Sequence, residues 1–324
     1  MIHLEHVNVR VPDQQLATQF YVVALGLTRD PYLMVGLENM WINVGNSQFH
    51  LPTAAAQVLR GFTGLVIPDF DELPARLATA AERLKGTKFS YHVEASYADV
   101  TCPWGNRFRL HPPQEKFPRL TLGMPYVEFP VRQGTADGIA RFYKEIIGAP
   151  SCVVSNGTVA AEVGVGTSQK LIFRETNEPP DPYDGHHIAV CIADFSGPHK
   201  KMLERGVVSE ESNPYQYRFV DIVDPDNGKV LFEIEHEVRC VTAPHVPPPA
   251  DQPQPGPAAA DLRVGSGRPQ LLIAHIGERA APRCPPALNR VASRSACPVI
   301  SSCAWRGRGR GRSRRRREIA GTSR

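Results

Sequence analysis

Polar and apolar residues alternate over His6-Val-Asn-Val-Arg-Val11. Val7, Val9 and Val11 therefore share one face and His6, Asn8 and Arg10 the other, the period of a half-buried strand. Asp13 follows as an N-cap, Leu16, Phe20, Val23 and Leu27 recur on one helical face, and Gly26 stops the helix. Extended segments are predicted near 33–37, 40–44 and 48–51, separated by Gly and Asn turns.

The same order returns three times. Phe62-Thr-Gly-Leu-Val-Ile-Pro-Asp69, Tyr126-Val-Glu-Phe-Pro-Val131 and His187-Ile-Ala-Val-Cys-Ile-Ala-Asp194 repeat the opening strand at intervals of 56, 64 and 61 residues. A period of this length marks repeated structural units and fixes the architecture before any other reading. Each unit reads as strand, helix, then three strands. In the second, cap Asp69 precedes helical Leu73, Leu77, Ala81 and Leu84, with strands near 89–94, 98–102 and 107–111. In the third, Ile139, Phe142 and Ile146 share a helical face that Gly148 ends; the fourth has cap Asp194 and final strands near 217–223 and 229–235. The expectation is an α+β protein of four βαβββ modules. A unit this small cannot hide both faces of its sheet, so paired modules are expected to curl their mixed sheets around a shared concave surface. Residues 113–121, with Pro112, Pro113 and Pro118, read as a linker between a first domain, 1–113, and a second, 120–240.

Composition changes abruptly beyond this body. Residues 244–324 carry fifteen Arg, no Lys, two Asp and two Glu, a charge of +11 in a chain of +4, which leaves −7 for residues 1–243. The tail is Pro-rich and then Arg-rich, too poor in apolar residues to offset chain entropy, and is expected to be disordered. It is read as an inert or out-of-frame extension rather than a nucleic-acid patch, and an acidic body gives no reason to expect nucleic acid or an anionic membrane as partner. No run of 18 apolar residues suggests a membrane span. The chain enters a strand by Leu4, leaving no signal-peptide pattern, and its seven cysteines are scattered without framework spacing; both suit the cytoplasm. Cys102 and Cys191 read as small buried apolar residues. A monomer suffices to pair all four modules, and exposed sheet edges would also allow a homodimer.

The chemistry gathers in the outermost modules. The last strands align as Phe49-His50-Leu51, Phe108-Arg109-Leu110 and Phe232-Glu233-Ile234, with Arg174 as the approximate counterpart in module three. Modules one and four thus supply His6, His50, His187 and Glu233, whose alternating positions can face one cavity. Imidazole and carboxylate suit a divalent ion such as Fe(II), Mn, Zn, Ni or Co. Modules two and three supply Phe62, Arg109, Tyr126 and Arg174, which cannot hold a metal; their arginines are expected to pair with carboxylates. Repeat alignment sets His186 on the opposite face from His187, and Glu235 shares the face of Glu233 as an outer partner.

The βαβββ repeats, the His-Val-Asn-Val and His-His-Ile-Ala-Val openings and the closing Val230-Leu-Phe-Glu-Ile234 resemble the vicinal oxygen chelate superfamily. That group includes glyoxalases, methylmalonyl-CoA epimerases, extradiol ring-cleaving dioxygenases and antibiotic-resistance binders of the bleomycin type. The resemblance spans residues 3–238 and none of the tail. It implies a metal held by His6, His187 and Glu233, with His50 at a fourth position. Common extradiol enzymes build their site from modules three and four, whereas a site from the outermost modules resembles the hydroquinone-type branch. Three protein ligands are usual in dioxygenases and four in glyoxalases and epimerases, so His50 points the other way.

The implied activity is bidentate chelation of a small substrate with neighbouring oxygens, by either ring cleavage or isomerisation. The metal would act as Lewis acid. Glu233 would move a proton as general base, and a residue such as Tyr217 would shuttle one in a dioxygenase. The alternative is a metal-free protein that binds or sequesters a small molecule.

Overall fold

The structure, a computed structural model, describes residues 1–33, 38–178 and 181–241, all within one compact unit. The tail 244–324 and most of the strand expected at 33–37 lie outside the described residues.

Each quarter of the body runs strand, helix, three strands. Module one holds β1 (His3–Asn8), α1 (Gln14–Ala17, continued by π-helical turns to Ala24), β2 (Thr28–Arg29), β3 (Asn39–Val44) and β4 (Ser47–Pro52). Module two holds β5 (Phe62–Val66), α2 (Leu73–Arg83), β6 (Ser90–Val93), β7 (Ala98–Thr101) and β8 (Arg107–His111). Module three holds β9 (Gly123–Arg132), α3 (Ala136–Arg141, continued to Ile147), β10 (Ser151–Asn156), β11 (Thr158–Gly166) and β12 (Gln169–Thr176). Module four holds β13 (His187–Ile192), α4 (Ser196–Leu203), β14 (Val208–Asn213), β15 (Gln216–Val223) and β16 (Val230–Cys240). Asp13 caps α1 as expected, its Oδ1 accepting from the backbone N–H of Gln15 at 2.7 Å and Leu16 at 2.9 Å. Asp69 makes no such side-chain cap; a short turn at Phe70–Glu72 intervenes and Pro74 sits in the first turn of α2.

Two eight-stranded mixed sheets result. One has the order β14-β15-β16-β13-β1-β4-β3-β2 and joins module four to module one; the other, β10-β11-β12-β9-β5-β8-β7-β6, joins module three to module two. Each sheet therefore takes strands from both sides of the 113–121 linker. The expectation of curled sheets is corrected here. The modules join first strand to first strand, β1 antiparallel to β13 and β5 antiparallel to β9, so each pair extends one sheet sideways. The outer strands β14 and β2, or β10 and β6, remain separate edges, and neither sheet curls or closes.

The apolar faces of both sheets and the helices share one core. Phe49 meets Phe108 across the sheets at 5.7 Å between ring centroids, Phe129 meets Phe232 at 5.7 Å, and Phe20 of the first helix reaches Phe108 at 5.3 Å. Gln169 stitches the sheets, its amide reaching Ser47 Oγ at 2.9 Å and the Met124 carbonyl at 3.1 Å while its oxygen accepts from Leu4 N–H at 3.1 Å. Cys102 and Cys191 are buried and carry no disulfide. No helix among the described residues is long and apolar enough to cross a membrane.

Candidate metal centre

The face of the first sheet turned away from the apolar core is polar and nevertheless buried. Glu5, His6, Asn8, Gln48, His187, Glu237 and Arg239 all lie there. The register explains their meeting. On β1 and β13, His6 stands opposite Ala189 and Asn8 opposite His187, so the two histidines are diagonal neighbours on one face. On β13 and β16, His187 stands opposite Glu235 and Ala189 opposite Glu237. A row His6–Ala189–Glu237 thus crosses three strands, with the small Ala189 between the two polar residues. The His6 and His187 rings lie 5.6 Å apart, centroid to centroid.

One donor atom each from His6, His187 and Glu237 fall within 4.8 Å of one another, close enough to bind a common ion. Both ring nitrogens of His6 and Nε2 of His187 are buried without a hydrogen-bond partner. Orphaned buried imidazole nitrogens are costly in a folded protein and fit a metal that would satisfy them. Burial, with His6 and the Arg218 and Arg239 guanidiniums adding to it, holds the His187 pKa well below the ordinary value, which keeps the ring neutral as a ligand must be. Glu5 stands on the Nδ1 side of His6 at 3.6 Å, and Glu235 on the Nδ1 side of His187 at 3.4 Å. Arg218 bridges Glu235 and Glu237, and Arg239 bridges Glu237 and Glu5.

The structure brings together His6 and His187 but supplies Glu237 where Glu233 was expected. Glu233 lies four residues earlier on β16, is exposed, and stands opposite Asp221; burial and the Glu233 charge raise the Asp221 pKa. Its backbone carbonyl accepts from Arg60. His50 is close, with its ring 5.7 Å from that of His6, yet it is occupied. Asn8 Nδ2 donates to its Nδ1 at 2.6 Å, its Nε2 contacts Asn39 Oδ1 at 2.7 Å, and Trp41 stacks on it at 3.9 Å. Burial lowers the His50 pKa to about 3. Tyr217 is on the far side of the sheet: it pairs with Val238, whereas its neighbour Arg218 pairs with Glu237. It packs there against Phe195 and His199, and burial raises its pKa. His186 bonds Asp184 Oδ1 at 2.6 Å through Nδ1 and stays outside the cluster.

The corresponding positions of the second sheet are closed. Phe62, Tyr126 and Ile172 pack with Val66 and with Phe117 and Leu120 of the linker. The Tyr126 ring lies directly over Gly64, where an added Cβ would meet its Cζ at 2.4 Å. Arg109 pairs with Asp99 at 2.7 and 3.0 Å and Arg174 with Glu128 at 2.6 and 3.0 Å, so both arginines have the carboxylate partners expected of them. Two surface cavities, of about 280 and 210 Å³, adjoin Arg132 and the start of β16, away from the histidine pair. Their size does not make them the chemical centre, because they hold no cluster of ligand-type side chains.

No family model matches the chain, and no curated protein matches it significantly. Among solved structures it is similar to glyoxalase I from Zea mays, at 14% identity, covering 74% of this chain and 92% of that one with a TM-score of 0.54. Two mutants of that maize enzyme align likewise, at 16% and 13% identity, each with a TM-score of 0.51 and 74% of this chain covered, and with 92% and 93% of their own chains covered. At such identities the likeness shows a fold shared with that enzyme, and not the activity.

Proposed function

We propose that this chain is a metal-dependent enzyme in which His6, His187 and Glu237 hold one divalent ion and a small substrate with neighbouring oxygens chelates it. The supporting observation is the convergence of two buried imidazoles, each with a ring nitrogen lacking a hydrogen-bond partner, and a buried carboxylate within 4.8 Å. When bound, such an ion supplies Lewis-acid activation of two adjacent substrate oxygens and, if it is Fe(II), a place for dioxygen beside them. The protein's own part is to set the donors. With Glu5 and Glu235 on the Nδ1 sides of the two rings, each Nε2 is left to face the centre. His6, His187 and Glu237 are at most 8% exposed, which keeps water from competing and strengthens their electrostatic effect.

The donor set favours ring cleavage over isomerisation. Two histidines and one carboxylate form the three-ligand set associated with non-haem Fe(II) oxygenases. A four-ligand, glyoxalase-like centre would need His50 to abandon Asn8, Asn39 and the Trp41 stack. A metal-free binder would have no use for unpaired buried imidazoles. The base role expected of Glu233 and the shuttle role expected of Tyr217 find no support in their positions.

The test is anaerobic loading with Fe(II), followed by metal analysis and oxygen uptake with catechols and hydroquinones. Stoichiometric iron with substrate-dependent uptake is expected. Proton exchange on a 2-oxo substrate with Ni or Zn, and no oxygen uptake, would replace this reading with an isomerase. Failure to retain any transition metal would leave the sequestration protein.

A further inference from the structure

Glu5 is a buried carboxylate, 1% exposed, that stands outside the group of His6, His187 and Glu237. It sits at an irregularity of β1, where the pairing with β13 shifts register between Leu4 and His6. Such a bulge breaks the strict alternation of a strand and re-aims a side chain. Here the Glu5 carboxylate reaches the Nδ1 side of His6 at 3.6 Å, and the thiol of Cys191 donates to its other oxygen at 3.3 Å. Arg239, 8% exposed near the end of β16, is opposite Cys191 and joins this carboxylate to that of Glu237. Its Nη1 donates to Glu5 Oε1, and its Nε and Nη2 both donate to Glu237 Oε1, the first at 2.5 Å.

We propose that Arg239 is a positioning residue for the metal-binding set, holding Glu5 behind His6 and Glu237 in front of it with one guanidinium; this rests on the metal-dependent reading above. Two consequences follow from the atoms involved. Glu237 Oε1 accepts twice from Arg239 while Oε2, the oxygen 3.7 Å from His187 Nε2, accepts from Arg218 alone, so Oε2 keeps a lone pair for the centre. Glu5 is held 3.6 Å from His6 Nδ1, and its negative charge there favours the proton on Nδ1 and leaves Nε2 as the donor. Only a planar, forked donor can serve two carboxylates in this way; a lysine supplies the charge as a point and cannot span both.

Co(II) titrated into the full chain and followed by its visible absorption reports affinity and ligand geometry, while circular dichroism and thermal melting report folding. Arg239→Gln is expected to weaken Co(II) binding by about 10- to 100-fold with the folded spectrum retained and the Co(II) bands shifted. Glu5→Gln is expected to weaken binding as well, and the double variant to be no weaker than Arg239→Gln alone, since both act through one link. Arg239→Lys is expected to restore thermal stability more fully than metal affinity. Unchanged affinity and bands in Arg239→Gln overturn the proposal, as do losses that multiply in the double variant. If Arg239→Gln does not fold, unchanged affinity in both Arg239→Lys and Glu5→Gln overturns it instead. A wild-type chain that binds no Co(II) overturns the metal reading and this inference together, whereas wild-type binding with unaffected variants removes only the role of Arg239.

Discussion

Asn8 and Ala189 occupy matching positions on the paired strands β1 and β13 and have opposite effects on the residues beside them. Asn8 stands between His187 and His50, and Ala189 between His6 and Glu237. The amide of Asn8 fills its place and donates to His50, drawing that ring away from the centre. Ala189 has no atom beyond Cβ, so it places no polar group between His6 and Glu237. The strand pairing is symmetric, but this one difference makes the donor set asymmetric. Three candidate donors meet where two equivalent pairs would otherwise give four.

The choice of carboxylate is the first thing to test. Glu237→Gln is expected to weaken metal binding by more than the roughly 10- to 100-fold that loss of an outer partner costs, as is His6→Ala. Glu233→Gln is expected to leave it unchanged, because that side chain is exposed and faces Asp221. Metal analysis after reconstitution and dialysis checks both. Loss of metal in Glu233→Gln with retention in Glu237→Gln would reverse the assignment.

The histidine pair could be read from the chain because each opens a repeated strand, and the alternation of His6, Asn8 and Arg10 with three valines fixes which face they occupy. The carboxylate could not, for a reason the core makes plain. Alignment on Phe49 points to Phe232 and hence Glu233, but the residue opposite Ile188, as Phe49 is opposite Val7, is His236. A buried histidine has replaced the aromatic marker. It packs on Phe219 at 4.3 Å and accepts from the Tyr143 hydroxyl at 2.6 Å, just as Phe49 packs on Tyr21. The strand also runs to Cys240, past the expected end at 235, so Glu237 fell outside the candidates although it continues the alternation of Glu233 and Glu235. Module three shifted similarly: the matching position is Ile172, two residues before Arg174. Sheet closure could not be read because period-two patterning specifies faces, not how far a sheet extends.

His50 is the residue that separates the two enzymatic branches. His50→Gln is expected to retain one metal per chain and to lose about 0.5–1.5 kcal/mol of stability with the Trp41 stack. Reconstituted stoichiometry and the thermal midpoint measure these. A fall in metal affinity as large as that in His6→Ala would make His50 a fourth ligand and favour the isomerase.

Tyr217 offers a test in the opposite direction. Its hydroxyl is buried, without a partner, on the face that Phe195 and His199 cover. Tyr217→Phe is therefore expected to stabilise the fold by about 1 kcal/mol and to leave metal binding and turnover alone. A thermal melt and a steady-state assay suffice; a lower kcat at unchanged stability would return Tyr217 to the chemistry.

Acid stability should carry the mark of His111, which accepts or donates with the Tyr126 hydroxyl at 2.9 Å in the closed second site. Burial, then Lys116 and Arg109, lower its pKa to about 4, against the opposing pull of Asp99. The unfolded chain binds this proton below its ordinary value of 6.5 and the folded chain only below about 4, so unfolding takes up a proton between them. Stability is therefore full above pH 6.5 and declines as pH falls toward 4, by at most about 1.4 kcal/mol per pH unit, less solvent screening of the nearby charges. His111→Gln should flatten the dependence of the thermal midpoint on pH over that window without abolishing it, since His50 and His236 are shifted the same way. An unchanged slope would show that His111 titrates normally in the folded chain.

Ala189 gives the most direct test of where the centre lies. It is fully buried, and its Cβ is the floor between His6 and Glu237. Valine adds two methyl groups at that spot while suiting a strand, so Ala189→Val should fold at a cost of about 1–3 kcal/mol of overpacking. The added methyls take the volume an ion would need between the two donors, and metal binding should be lost with all three ligand residues still in place. Ala161, equally buried on β11, serves as the control: Ala161→Val should cost similar stability and leave metal binding intact. If Ala189→Val binds metal as the parent does, the ion does not sit above this residue, and the row of His6, Ala189 and Glu237 is not the centre.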